Sequence, residues 1–225
     1  GDLEYKQPCW DCPVINVVDA NSSPPTQVDG DRYLLVNIGS TAINAGWGNA
    51  SVNDIVQYYD VAGTTDLWQA ITPVEGTTLY DESRDGYWNF DGTNWIGNDF
   101  KFNNTITTAE ILALNSSPKT IISAPLAGYA IVPVGVEYKF IYNSVTYATS
   151  ITTQIQSTGA DTYFMQTQVI GSTKTVYTTS SVSTPGHSNT QILEATDIEA
   201  FVTVANPTAG DSDLIVRGKY KIIVV

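Results

Sequence analysis

The stretch Gly86-Tyr87-Trp88-Asn89-Phe90-Asp91-Gly92-Thr93-Asn94-Trp95-Ile96 sets an aromatic run on either side of Asp91-Gly92. An Asp-Gly step between two such runs is the pattern of a tight β-hairpin. Its turn needs positive φ, which glycine adopts at no steric cost. Side chains alternate across a strand, so Trp88 and Phe90 are expected on one face and Tyr87 and Asn89 on the other.

The same pattern continues in both directions. Upstream, Asp31–Asn37 (DRYLLVN), Asp54–Tyr59 (DIVQYY), Leu67–Thr72 (LWQAIT) and Thr77–Asp81 (TTLYD) read as short half-buried strands separated by Gly, Asn and Pro turns. Short strands at this spacing predict an antiparallel meander. Residues 1–23 read as an extended arm, closed by the polar, proline-stiffened Asn21-Ser22-Ser23-Pro24-Pro25. Downstream, Thr107 followed by Glu110 forms a capping-box pattern for one short helix. Strand-like runs follow at Lys119–Ala124, Tyr129–Tyr142, Ser150–Gln156, Tyr163–Ile170, Thr173–Thr179, Ile192–Val204 and Leu214–Val225. Arg217, Lys219 and Lys221 alternate with Gly218, Tyr220 and Ile222, which fits a sheet with one solvated face.

All five tryptophans lie within the first 95 residues. Charge shifts at the same place. Residues 1–104 hold 15 acidic and 4 basic residues, against 8 and 6 in residues 105–225. The expected organisation is therefore an arm over 1–23, an aromatic-rich β-module over 24–104 and a β-sandwich or jelly-roll-like domain over 105–225. The fold class is all-β with one short helix.

Composition narrows the functions. A net charge of −13 repels phosphate backbones and anionic bilayers, which argues against nucleic-acid partners and membrane docking. No apolar run approaches the roughly 18 residues of a membrane span. No signal-peptide pattern is visible, and the chain opens on Gly1, which is compatible with removal of an upstream segment.

Cys9 and Cys12 in Pro8-Cys9-Trp10-Asp11-Cys12-Pro13 are the only cysteines, and His187 is the only histidine. That set is too small for a self-contained zinc site, so a structural turn or local disulfide is expected, with a metal shared between subunits as the alternative. His187 sits in the loop-like Ser183-Thr184-Pro185-Gly186-His187-Ser188-Asn189, with no nucleophile motif around it. Asp81-Glu82-Ser83-Arg84-Asp85 reads as a solvated turn. Asp29-Gly30-Asp31 and Asp211-Ser212-Asp213 supply alternating carboxylates but no complete calcium loop. No catalytic residue, cofactor or metal site is expected, and the chain reads as a non-enzyme.

Two stretches carry a resemblance. Gly30-Asp31-Arg32-Tyr33-Leu34-Leu35, Trp47, Asp54-Ile55, Tyr59-Asp60, Trp68, Pro73, Gly76, Tyr80 and Phe90-Asp91-Gly92-Thr93-Asn94-Trp95 resemble a short aromatic module of tailed-phage virion proteins. Ile111–Pro118, Ser123–Ile131, Asn206–Leu214 and Lys219–Ile223 are similar to a C-terminal β-domain of phage fibre and capsid-decoration proteins. The resemblance implies a structural protein on the virion surface, as head fibre, tail fibre or capsid decoration. It also implies a homo-oligomer, most often a trimer, that contacts other virion proteins such as capsid or tail components.

One rival reading comes from the residues themselves. Tryptophan faces stack on sugar rings, and carboxylates accept hydroxyl bonds, so Trp47, Trp68, Trp88 and Trp95 with Asp54 and Asp91 are the candidate contacts for a host-surface polysaccharide. The competing expectation is that these indoles form the module's small core.

Overall fold

A computed structural model describes residues 12–36, 43–60, 67–159, 163–181 and 193–225. Among these residues it is almost entirely β, with one α-helix, α1 (Thr108–Ala113), and two single 3-10 turns. The chain divides into two compact units. The first comprises Gly1–Asn98, Leu126–Gly128 and Val224; the second comprises Asp99–Pro125, Tyr129–Ile223 and Val225. The division falls between Asn98 and Asp99, a few residues before the compositional change.

In the first unit, β1 (Asn16–Asp19), β2 (Arg32–Val36), β3 (Ile55–Tyr59) and β4 (Leu67–Ile71) form a four-stranded sheet in that order. The segment read as an arm thus supplies a strand. β1 runs parallel to β2, with Val17 opposite Leu34, while β2–β3 and β3–β4 are antiparallel. The pairing is therefore mixed, and only β2 to β4 follow the expected meander. β2 is buried at all five positions, as a strand covered on both faces must be, and its sequence is correspondingly apolar apart from Arg32.

The rest of this unit is a second antiparallel ladder. β5 (Thr78–Asp81) pairs β6 (Gly86–Phe90), which pairs the start of β7 (Trp95–Ile106). The hairpin turn is built as its sequence demands. Gly92 takes φ +96°, and the Asp91 carboxylate accepts the Thr93 and Asn94 amides at 2.9 and 2.7 Å. Trp88 and Phe90 are buried and Tyr87 is exposed, as alternation requires.

β7 changes its alternation within the strand. Trp95 and Gly97 are buried, then Asn98 and Asp99 both face outward, and from there Phe100 and Phe102 are buried instead. Asp99 has φ +57°, so one residue in the left-handed region inserts the extra step, as in a β-bulge.

In the second unit, β8 (Lys119–Ile122), β9 (Tyr129–Ile141), β10 (Thr153–Ser157), β11 (Tyr163–Thr167), β12 (Val176–Ser181), β13 (Ile198–Val202) and β14 (Asp213–Val224) follow α1. They form one sheet ordered β11-β10-β13-β8 and another ordered β12-β9-β14-β7. Each presents a buried row, with Ile155, Ile198, Ala200 and Val202 in the first and Phe100, Phe102, Tyr138, Phe140, Val216 and Tyr220 in the second. Two sheets with one apolar face each make a sandwich-like core. The helix starts where its capping box sets it: the Thr107 hydroxyl accepts from the Glu110 amide, and the Glu110 carboxylate accepts from the Thr107 amide. Among the described residues no helix is long and apolar enough to cross a membrane.

Candidate functional site

The six residues singled out for sugar contact all lie in the first unit, and their burial decides what they can do. Asn44 caps the 3-10 turn Ala45–Trp47 by accepting the Gly46 amide, which turns Trp47 onto the sheet. There Trp47 lies 4.9 Å from Trp68 and 6.3 Å from Tyr33, and Trp68 lies 5.2 Å from Tyr58, between ring centroids. These tilted contacts are the edge-and-offset geometry that aromatic quadrupoles favour. With Ala20, Leu35 and Val56 they form one closed cluster. Trp47 Nε1 donates to the Ser22 carbonyl at 2.8 Å.

Trp88 and Trp95 are spent in the same way. Trp95 Nε1 donates to the Asn53 carbonyl at 3.0 Å, and its ring packs 5.3 Å from Phe90. Trp88 Nε1 donates to Asp81 Oδ2 at 3.0 Å. The four indoles are at most 7% exposed, so none offers the open ring face that stacking on a sugar requires. The structure gathers Trp47 with Trp68 but makes both core.

The two candidate carboxylates are likewise engaged by backbone. Asp54 is buried and accepts the Ser51 amide at 2.7 Å. Asp91 is exposed, and the Asn94 and Thr93 amides hold its carboxyl below the ordinary range.

Asp81 is the acid that the sequence reading misplaced. It is fully buried rather than part of a solvated turn. Its Oδ1 accepts from the Ser83 amide and hydroxyl, and its Oδ2 accepts from Arg84 at 2.9 Å as well as from Trp88. Asn16 Oδ1 accepts from Ser83 and Arg84, which ties β1 to this network. A buried carboxylate survives only when its lone pairs are filled, and here four donors fill them. The available signal was alternation: Leu79 faces inward, and Asp81 follows it by two residues.

Arg32 is also buried. Its Nη1 donates to the Cys12 carbonyl, and burial lowers its pKa. Cys12 is disulfide-bonded, as expected for a local disulfide. Cys9 and His187 lie outside the described residues.

The acidic turns are occupied by the protein's own donors. Asp31 accepts the Val28 amide and Asp29 accepts the Asp60 amide. Asp213 accepts the Thr108 amide at the start of α1. Asp211 clamps the loop after β9 through the Ser144 hydroxyl and the Val145 and Ser144 amides, which lower its pKa to about 2. Among the described residues no group of three or more His, Cys, Asp or Glu side chains could hold a metal.

What remains exposed and aromatic on the hairpin is its other face. Tyr80 and Tyr87 are cross-strand partners with ring centroids 5.1 Å apart. The Tyr80 hydroxyl donates to Asp85 at 2.6 Å, which pushes the phenol up to about 12. No family model matches the chain, and no curated protein matches it.

Proposed function

We propose that the chain is a non-enzymatic structural or decoration protein of a phage virion surface, as head fibre, tail fibre or capsid decoration. It works as a homo-oligomer, in the first instance a trimer, docked on other virion proteins. The observation that supports this reading most is the use made of the chemically versatile side chains. The four indoles, Asp54, Asp81, Asp91, Asp211 and Asp213 are all consumed in cores, turns and caps. Among the described residues the outside is chiefly β-surface studded with charged side chains, which suits assembly.

A second reading, a carbohydrate-binding adhesion module, draws on one observation. Tyr87 is half exposed beside Tyr80, on the face opposite Trp88. A sugar would stack there, and not on the tryptophans. A glycan array probed with the full chain separates the two readings. The structural reading expects no specific binding. Binding that disappears in Tyr87→Ala would replace it with adhesion, and release of reducing sugars from host polysaccharide would replace both with an enzyme.

A further inference from the structure

The chain has ten Lys and Arg residues, and five of them share one surface. On β14, Arg217, Lys219 and Lys221 are exposed and alternate with buried Val216, Tyr220 and Ile222. On the neighbouring β9, Lys139 and Glu137 alternate with buried Val136, Tyr138 and Phe140. Cross-strand contacts place these rows on one face. Arg217 pairs with Glu137 at 2.6 Å, and Lys139 Nζ lies 5.4 Å from the centroid of the exposed Tyr177 ring on β12. Lys219 reaches Asp99 on β7 at 3.3 Å, and exposed Lys101 follows Asp99 by two residues on the same side. Among the described residues this face gathers five cations, two of which pair with the carboxylates of Glu137 and Asp99, on a chain whose net charge is −13.

The complementary charge is in the same molecule. Residues 1–98 hold 14 acidic and 3 basic residues, a net −11, whereas residues 99–225 carry net −2. Asp60, Glu75, Glu82, Asp85 and Asp91 of the first unit are exposed. An acidic polymer would have to approach against the field of the whole chain, which opposes it. A second copy brings an acidic surface that can be oriented toward the cations and away from like charge.

We infer that the outer face of the β12-β9-β14-β7 sheet docks the acidic first unit of a second copy. The inference rests on the oligomer reading above and names its surface. Such a contact is head-to-tail, and a head-to-tail contact closes into a ring when its rotation permits, a trimer included. Charge complementarity fixes its orientation and makes it salt-dependent.

The test is the mass of the full chain by light scattering at about 50 mM and about 500 mM salt, where screening lengths differ several-fold. The expected result is an oligomer at low salt whose dissociation constant rises at least about tenfold at high salt. Lys219→Glu/Lys221→Glu and the milder Lys219→Gln/Lys221→Gln should both be monomeric at low salt with wild-type melting curves. An oligomer indifferent to salt and to both variants overturns this docking face but leaves the oligomer reading standing. A monomer at both salts overturns both. A monomer that binds polyphosphate through Lys219 and Lys221 assigns the face to a polyanion and overturns the second copy as its occupant.

Discussion

Replacing Trp88 by alanine tests how the first unit is held together. Trp88 is 2% exposed, and its indole donates to a carboxylate that is itself fully buried. A tryptophan buries about 150–250 Å², which at about 25 cal/mol per Å² is worth about 4–6 kcal/mol. The alanine methyl keeps part of this and some collapse of the cavity follows, so the expected loss is about 3–5 kcal/mol. Asp81 also loses one donor, although Ser83 and Arg84 still hold it. For a unit of this size each kcal/mol lowers the melting temperature by about 4–8 °C, so a fall of about 12–40 °C is expected. Trp88→Phe keeps most of the ring and loses the hydrogen bond to a charged acceptor, at about 1.5–3 kcal/mol. The internal control is Tyr87→Ala, one residue away on the exposed face, which should stay within about 1 kcal/mol. Thermal melts followed by near-ultraviolet circular dichroism read all three. A Trp88→Ala variant as stable as wild type, or a Tyr87→Ala variant equally damaged, would refute the assignment of faces.

Three further outcomes follow from single contacts. A Cβ on Gly218 would lie 2.0 Å from the Gly135 carbonyl oxygen, so Gly218→Ala should lower stability by about 3 kcal/mol or more, read from the urea midpoint. Asp85→Asn keeps a residue type that tolerates φ +48° but removes the charged acceptor. The Tyr80 phenol should then titrate below about 12, back toward its ordinary value, with burial, Tyr87 and Glu82 still holding it somewhat raised. The Asp211 carboxyl is depressed to about 2, so its clamp is complete above the unfolded value of about 3.9 and is lost as pH falls through about 2. Hydrogen exchange should find the Ser144 and Val145 amides protected at pH 4 and released between about pH 4 and pH 2.

Local signals were legible. The hairpin at Asp91-Gly92 and the Thr107–Glu110 capping box rest on contacts within a few residues, where spacing alone carries the physics, and the strands of the β2–β4 meander showed in their own local residue patterns. The parallel pairing of β1 with β2 was not legible, because nothing in Asn16–Asp19 records which distant strand completes it. The bulge at Asp99 was hidden for a related reason. Its left-handed backbone falls on a residue that is not glycine, so composition gives no mark of it.

The candidate site failed on a different point. Alternation shows which side chains share a face but not whether that face is covered. The Tyr33–Leu35 row and the Leu34–Val36 row are both buried, so the tryptophans stacked on the first row became core. At Asp81 the error ran the other way. Averaging the charges of Asp81–Asp85 concealed the inward step from Leu79. The cationic sheet face was half legible: the Arg217, Lys219 and Lys221 alternation is in the sequence. The addition of Lys101 needed the order β14-β7.

The proposed place of this chain is the outer surface of a virion. Immunogold electron microscopy of purified, intact phage particles, using antibody raised against the folded chain, tests it most directly. The expected result is gold at regular positions on the outside of the head or tail, removed by pre-adsorption with the purified protein. Unlabelled particles, with all antigen left in the particle-free lysate fraction, would contradict it.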